Sequence, residues 1–185
     1  MLDGGAGGAR TRYADIRNWS VGGKVGVWQP SHLDVARIRA GHAVVDAPGQ
    51  HARRLDVEAA ATLDVAAGWL DVADRVDVAA GGVLALAGGR LAAGALRLDD
   101  RAALEVDAAR LSLGALAVRG VAHLGGALRV RAGRAPRAGD SWTLLTAARG
   151  VTGSFRSVPA GYEIAVAGTR VTLTYRGKPG YLAAR

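Results

Sequence analysis

The chain has 185 residues, half of them apolar, and a formal net charge of +8. That length suits one domain with its own core, and the absence of cysteine excludes disulfides and thiolate metal sites. No run reaches the roughly 18 consecutive apolar residues of a membrane helix. Only one Phe and one Met accompany four Trp and four Tyr, so a thin, elongated core of Leu, Val and Ala is expected.

Charge is unevenly spread. Residues 1–54 carry eight basic and four acidic groups, residues 55–107 four and ten, and residues 108–185 twelve and two. Such a basic–acidic–basic profile bears on solubility and partners rather than on fold.

In chain order, the opening Met-Leu-Asp-Gly-Gly-Ala-Gly-Gly lacks a basic region followed by an apolar stretch and does not read as a signal peptide. The expectation is a cytoplasmic chain or one whose leader precedes this numbering. Residues 1–14 read as a flexible arm. Leu33-Asp-Val35, Val44-Val45 and the region near Ala52 make a less regular first coil, with Val35 placed 20 residues before Leu55 and Val44 19 before Leu63. Trp19 and Trp28 flank that coil and read as caps on its end.

From Leu55 onward a set of three short apolar–polar–apolar runs recurs about every 20 residues. Leu55-Asp-Val57, Leu63-Asp-Val65 and Leu70-Asp-Val72 form the first set; Val76-Asp-Val78, Leu84-Ala-Leu86 and Leu91 the second. Leu96-Arg-Leu98, Leu104-Glu-Val106 and Leu111-Ser-Leu113 form the third; Leu116-Ala-Val118, Leu124 and Leu128-Arg-Val130 a shortened fourth. A fixed period of this size signals stacked units. Alternate residues of a strand point to opposite faces, so Leu and Val face inward. Asp56, Asp64, Asp71, Asp77, Arg97, Glu105, Ser112 and Arg129 face outward. Gly-rich bends separate the runs and supply the turns. The prediction is an all-β, right-handed parallel β-helix with three strands per coil, spanning residues 15–135. A sandwich also uses short strands, but gives no reason for spacings to repeat in register.

After Val130 the repeat stops. Trp142-Thr-Leu-Leu145, Tyr162 to Val166 and Val171-Thr-Leu-Thr-Tyr175 are longer strands, and Gly168-Thr169 reads as a hairpin turn. Residues 136–176 are expected to form a C-terminal β cap and 177–185 a tail.

The segment from Gly120 to Val130, followed by Ala-Gly-Asp-Ser-Trp-Thr-Leu-Leu-Thr-Ala (138–147), Gly150-Val-Thr-Gly-Ser-Phe155 and Val171 to Tyr175, resembles the C-terminal part of the β-helical passenger domains of bacterial autotransporters and related secreted, pectin-lyase-like β-helix proteins. Asn18-Trp19-Ser20, with Pro30 and Asp34 to Ile38, resembles the opening coil of the same class. In autotransporters this motif precedes a membrane β-barrel, which these residues do not include; a stand-alone secreted relative or an excised passenger is expected. The resemblance implies an extracellular or cell-surface location and a fibre, adhesin or enzyme role.

Candidate sites are few. Asp56 and Asp77 share a column with Arg97, and Glu58 lies near. Lyases on β-helices use acidic clusters with Ca²⁺ and a basic residue, but Ca²⁺ wants six to eight oxygens, and Arg75 and Arg97 suffice to neutralise stacked carboxylates. Asp64 and Glu105 share a second column, two coils or about 10 Å apart, at the far edge of an inverting glycosidase spacing. His32, His42, His51 and His123 show no metal-ligand spacing. No Ser sits in a nucleophile elbow, and no cofactor is expected. Arg129, Arg131, Arg134 and Arg137 form a basic stretch, yet only Trp142 accompanies it, whereas single-strand nucleic-acid binders interleave aromatics; nucleic acid is disfavoured. Trp69 suits a sugar platform or a corner cover.

The leading expectation is a non-enzymatic extracellular structural protein, a fibre subunit or adhesin-like module that self-associates through its ends. Trp19, Trp28, Trp142, Phe155, Tyr162, Tyr175 and Tyr181 are its contact candidates. The alternative is a surface module that binds or cleaves anionic polysaccharide at Asp56, Asp77, Arg97 and Trp69. A cytoplasmic scaffold of the bactofilin kind, also a β-helix, is a third reading.

Overall fold

The structure, a computed structural model, describes residues 2–4, 10–21, 24–26, 28–111, 114–131 and 135–177. The strands in chain order are β1 (Leu2–Gly4), β2 (Arg10–Arg12), β3 (Trp19–Val21), β4 (Lys24–Val25), β5 (Val35–Ile38), β6 (Gly41–Val45), β7 (Gln50–Val57), β8 (Ala61–Val65), β9 (Trp69–Val78), β10 (Val83–Leu86), β11 (Arg90–Leu98) and β12 (Ala103–Asp107). They continue with β13 (Leu116–Val118), β14 (Ala122–Leu124), β15 (Ala127–Arg131), β16 (Ser141–Ala147), β17 (Val151–Gly153), β18 (Tyr162–Ala167) and β19 (Arg170–Tyr175).

The predicted solenoid is present. Two ladders of parallel strands run its length. One stacks β5, β7, β9 and β11 side by side, and the other stacks β6, β8, β10, β12 and β15. Each long strand bends midway, where the register shifts between Ala52 and Arg54 and between Ala93 and Ala95. One strand therefore covers two faces of a coil, and the shorter strands build the third.

The inward columns are uniform. Leu55, Val76 and Leu96 are neighbours on one face, and Ala43, Leu63, Leu84, Leu104 and Leu128 on another. All eight are buried. Burial of each Leu and Val contributes about 1.5–3 kcal/mol, and repetition rather than bulk makes the core.

Three details depart from expectation. In the first coil the register is offset by one residue: Ala36, not Val35, pairs with Leu55, and Ala43, not Val44, pairs with Leu63. Ala36, Ile38, Ala43 and Val45 point inward, and Leu33 is 71% exposed. A column is selected by what the pleat buries, and small Ala side chains hid that alternation.

Second, Leu111 lies outside any strand and Ser112 and Leu113 lie outside the described residues. The partner of Leu91 is Leu116, and Ala122 sits beside Leu96. The fourth coil is thus complete, with Ala122 in an inward place that Leu55, Val76 and Leu96 fill in the coils before it, and the stretch between Asp107 and Leu116 is longer than its counterparts. Third, the expected N-terminal arm supplies β1 and β2, which extend the two ladders beyond β5 and β6.

Coils stacked this closely leave no room at some corners. A Cβ on Gly94 would lie 2.1 Å from the Asp74 carbonyl oxygen, and one on Gly126, at φ +65°, would lie 2.0 Å from that of Ala102. Ala60 is the opposite case, a non-glycine residue at φ 61° in the turn before β8. Left-handed backbone costs an L-residue roughly 1–2 kcal/mol. Gly126→Ala is expected to lower the thermal midpoint by about 6–12 °C, from a loss of about 3 kcal/mol, and Ala60→Gly to raise it by a few degrees. Calorimetry on both variants checks the signs; a neutral Gly126→Ala would show that the coils are not in this close contact.

Candidate functional site: the outward columns and the ends of the solenoid

On the outer surface Arg37, Asp56, Asp77, Arg97, His123 and Thr152 form one column across six strands. The predicted stacking of Asp56 on Asp77 and then Arg97 is therefore real. What holds the two carboxylates together is Arg54: its Nε lies 2.8 Å from Asp56 Oδ1 and its Nη2 3.1 Å from Asp77 Oδ2. Arg75 Nε lies 2.6 Å from the same Asp77 oxygen. At Asp77 these contacts are ion pairs at close range rather than in-line hydrogen bonds. Arg37 adds Glu58, at 3.1 Å, to the network.

Of the two arginines expected to neutralise the pair, Arg75 does so. Arg97 is in no ion pair among the described residues. It borders a cleft of about 300 Å³ that also exposes Arg54, Asp56, Arg75, Asp77 and Asp99. Arg54 carries a sequence signal of its own. Arg54-Leu-Asp56 and Arg75-Val-Asp77 repeat an Arg-x-Asp pattern at a 21-residue interval, and residues two apart share a strand face.

The second column runs Val44, Asp64, Ala85, Glu105 and Arg129. Asp64 and Glu105 are two strands apart, as expected. Asp64 faces away from the core yet is only 4% exposed, with His42 Nε2 3.3 Å from its Oδ2. Glu105 pairs with Arg131. These groups line a groove of about 200 Å³. The basic stretch is thus partly spent within the fold; Arg134 lies outside the described residues. Among the described residues no three His, Asp or Glu side chains converge as a metal ligand set.

Trp69 is separate from Asp56 and Asp77. It belongs to the first half of β9, before the bend, where it meets the His51 ring edge-on at 5.2 Å. Asp71, two residues on, is bound by Arg119 at 2.7 Å. The polysaccharide candidates therefore fall into two groups on different faces.

The contact candidates gather at the ends. At the N-terminal end Trp19 is 2% exposed and donates its indole N–H to the Tyr13 carbonyl at 2.7 Å. The Tyr13 ring meets it edge-on at 4.9 Å, and the Tyr13 hydroxyl donates to the His51 carbonyl. Trp19 is thus inside the column as a plug, not a contact surface, whereas Trp28 is 47% exposed. At the C-terminal end Tyr162 lies 4.9 Å from Tyr175 and 6.5 Å from Trp142. Phe155 is partly buried against the core, and Tyr181 lies outside the described residues.

No protein-family model matches the chain, and no curated protein matches it in sequence.

Two outcomes follow from this geometry. Arg54→Met leaves Asp56 and Asp77 opposed with less neutralisation. A loss of about 1–2 kcal/mol is expected at low salt, shrinking as salt screens the repulsion. Denaturant melts at two ionic strengths measure it; equal losses at both would refute the bridging role. Burial, and secondarily the Asp34 carboxylate, raise the Tyr13 pKa far above its ordinary value. The unfolded chain then releases this proton first, so the stabilisation is complete below about pH 10 and declines above it by about 1.4 kcal/mol per unit. Tyr13→Phe is expected to abolish that share of the slope in unfolding titrations between pH 9 and 11.

Proposed function

We propose that this chain is a non-enzymatic structural subunit, a fibre or adhesin-like β-solenoid that works outside the cell and associates through its ends. The observation that carries this reading is how the polar side chains are spent. Arg54, Arg75, Arg119 and Arg131 are engaged with Asp56, Asp77, Asp71 and Glu105 on the coils themselves, which holds the column together and leaves its ends as the distinctive surfaces. The resemblance of residues 120–175 to autotransporter passenger domains supports the extracellular placement. No helix among the described residues is long and apolar enough to cross a membrane.

One observation favours a second reading. Arg97 and the cleft beside it suit a carboxylate or sulfate group of an anionic polysaccharide.

Purified protein is expected to sediment as more than one species as its concentration rises, and to show particles longer than one column by negative-stain microscopy. Discrete monomers at every concentration and salt would count against the structural reading. Binding to anionic glycans that Arg97→Ala abolishes, without such association, would favour the second.

A further inference from the structure

The solenoid's ends differ in how their strand edges are guarded. The ladder that begins with β4, β3 and β1 ends at the other extreme on β18, and a side branch of it ends on the three-residue β17. β4 is two residues long and contains Lys24. The other ladder ends on β2, Arg-Thr-Arg, and at its far end on β15, whose edge is bridged by Ser157. Short strands, cations and covering loops are the usual means of blunting an edge. Among the described residues β18 has no covering loop and no basic residue, and its one charged side chain, Glu163, is paired with Arg176. It is six residues, Tyr-Glu-Ile-Ala-Val-Ala, without Lys, Arg, Pro or Gly, and among the described residues it is paired along its whole length with β19 on one side only.

The direction of its free groups follows from the register. Arg176 N–H donates to the Gly161 carbonyl at 2.7 Å, and Gly161 stands opposite Arg176 one step beyond the Tyr162–Tyr175 pair. In an antiparallel ladder such a residue turns both its backbone groups to the partner, and the alternate residues turn theirs away. Glu163, Ala165 and Ala167 therefore face β19. Ile164 and Val166 present both N–H and C=O to the open edge. Tyr162 presents only its carbonyl, because its N–H donates to Pro159.

We infer that the open edge of β18 is a docking site for the same edge of a second copy of this chain, antiparallel and centred on Ile164. This rests on the self-association proposed above and names its contact. In that register Ile164 and its mate exchange two hydrogen bonds. Each Val166 N–H donates to the other copy's Tyr162 carbonyl, the one group Tyr162 has left to offer. Tyr162, Ile164 and Val166 continue as one apolar row across the two-fold axis, and each Glu163 stands opposite Ala165 rather than its own mate, avoiding like-charge repulsion. Such an isologous contact closes on itself. It gives a tail-to-tail pair, and its small size places it among weak, concentration-dependent associations.

The chain has no cysteine, which makes a cross-linking test clean. Opposed residues that are not hydrogen-bonded to each other, here 163 and 165, are the closer kind of pair. Glu163→Cys/Ala165→Cys is expected to give a disulfide-linked dimer on mild oxidation, while either single variant does not. Val166→Lys, at a half-exposed position, is expected to abolish the dimer in sedimentation without changing the melting temperature. Association that survives Val166→Lys, or cross-linking by Ala165→Cys alone, would overturn this contact while leaving end-to-end association standing. A wild-type chain that stays monomeric at all concentrations would remove both.

Discussion

The parallel hydrogen-bonded ladder between successive coils is the constraint on which everything else depends. Each coil must place its strands beside those of the coil before it, so each inward residue meets its own counterpart one period away. Leu or Val at those places satisfies every coil at once. The chain therefore needs few aromatic residues for its core, and those among the described residues are found at the N-terminal plug, at the C-terminal cluster and on the surface. Close stacking also explains the glycines: at Gly94 and Gly126 the neighbouring coil's carbonyl occupies the space a side chain would take.

The same ladder turns outward residues into columns, which changes what their charges mean. An isolated Asp on a strand is a solvated group. Asp56 and Asp77 stacked side by side are a repulsive pair that needs a cation between them, and Arg54 fills that role. Apparent acidic clusters on such a surface are thus first a matter of lateral electrostatics, and their resemblance to a metal or catalytic site follows from the repeat rather than from convergence on a ligand.

The fold was largely legible in the sequence because the period recurs through adjacent sets of Leu and Val. It failed where inward residues were Ala, as at Ala36, Ala43 and Ala122, since Ala is equally common outside. It failed again at Leu111, which the spacing sets beside Leu91, a place that Leu116 takes. The Asp56–Asp77–Arg97 column was legible from spacing alone. Its separation from Trp69 was not, because the bend within β9 carries the two halves of one strand onto different faces. The burial of Asp64 beside His42 was hidden because that contact crosses strands from neighbouring coils.

The connection between β12 and β13 shows how such a column tolerates change. Leu70 and Leu91 are partners 21 residues apart, and Leu91 and Leu116 are partners 25 apart, yet the ladder continues through both in register. The chain leaves the ladder after Asp107 and rejoins it in register at Leu116. Closing a loop costs entropy that grows only with the logarithm of its length, about 0.6 kcal/mol per doubling. Corners are thus places where this scaffold can accept whole inserted segments, and a lineage could vary what the rod displays along its side while its spine stays unchanged.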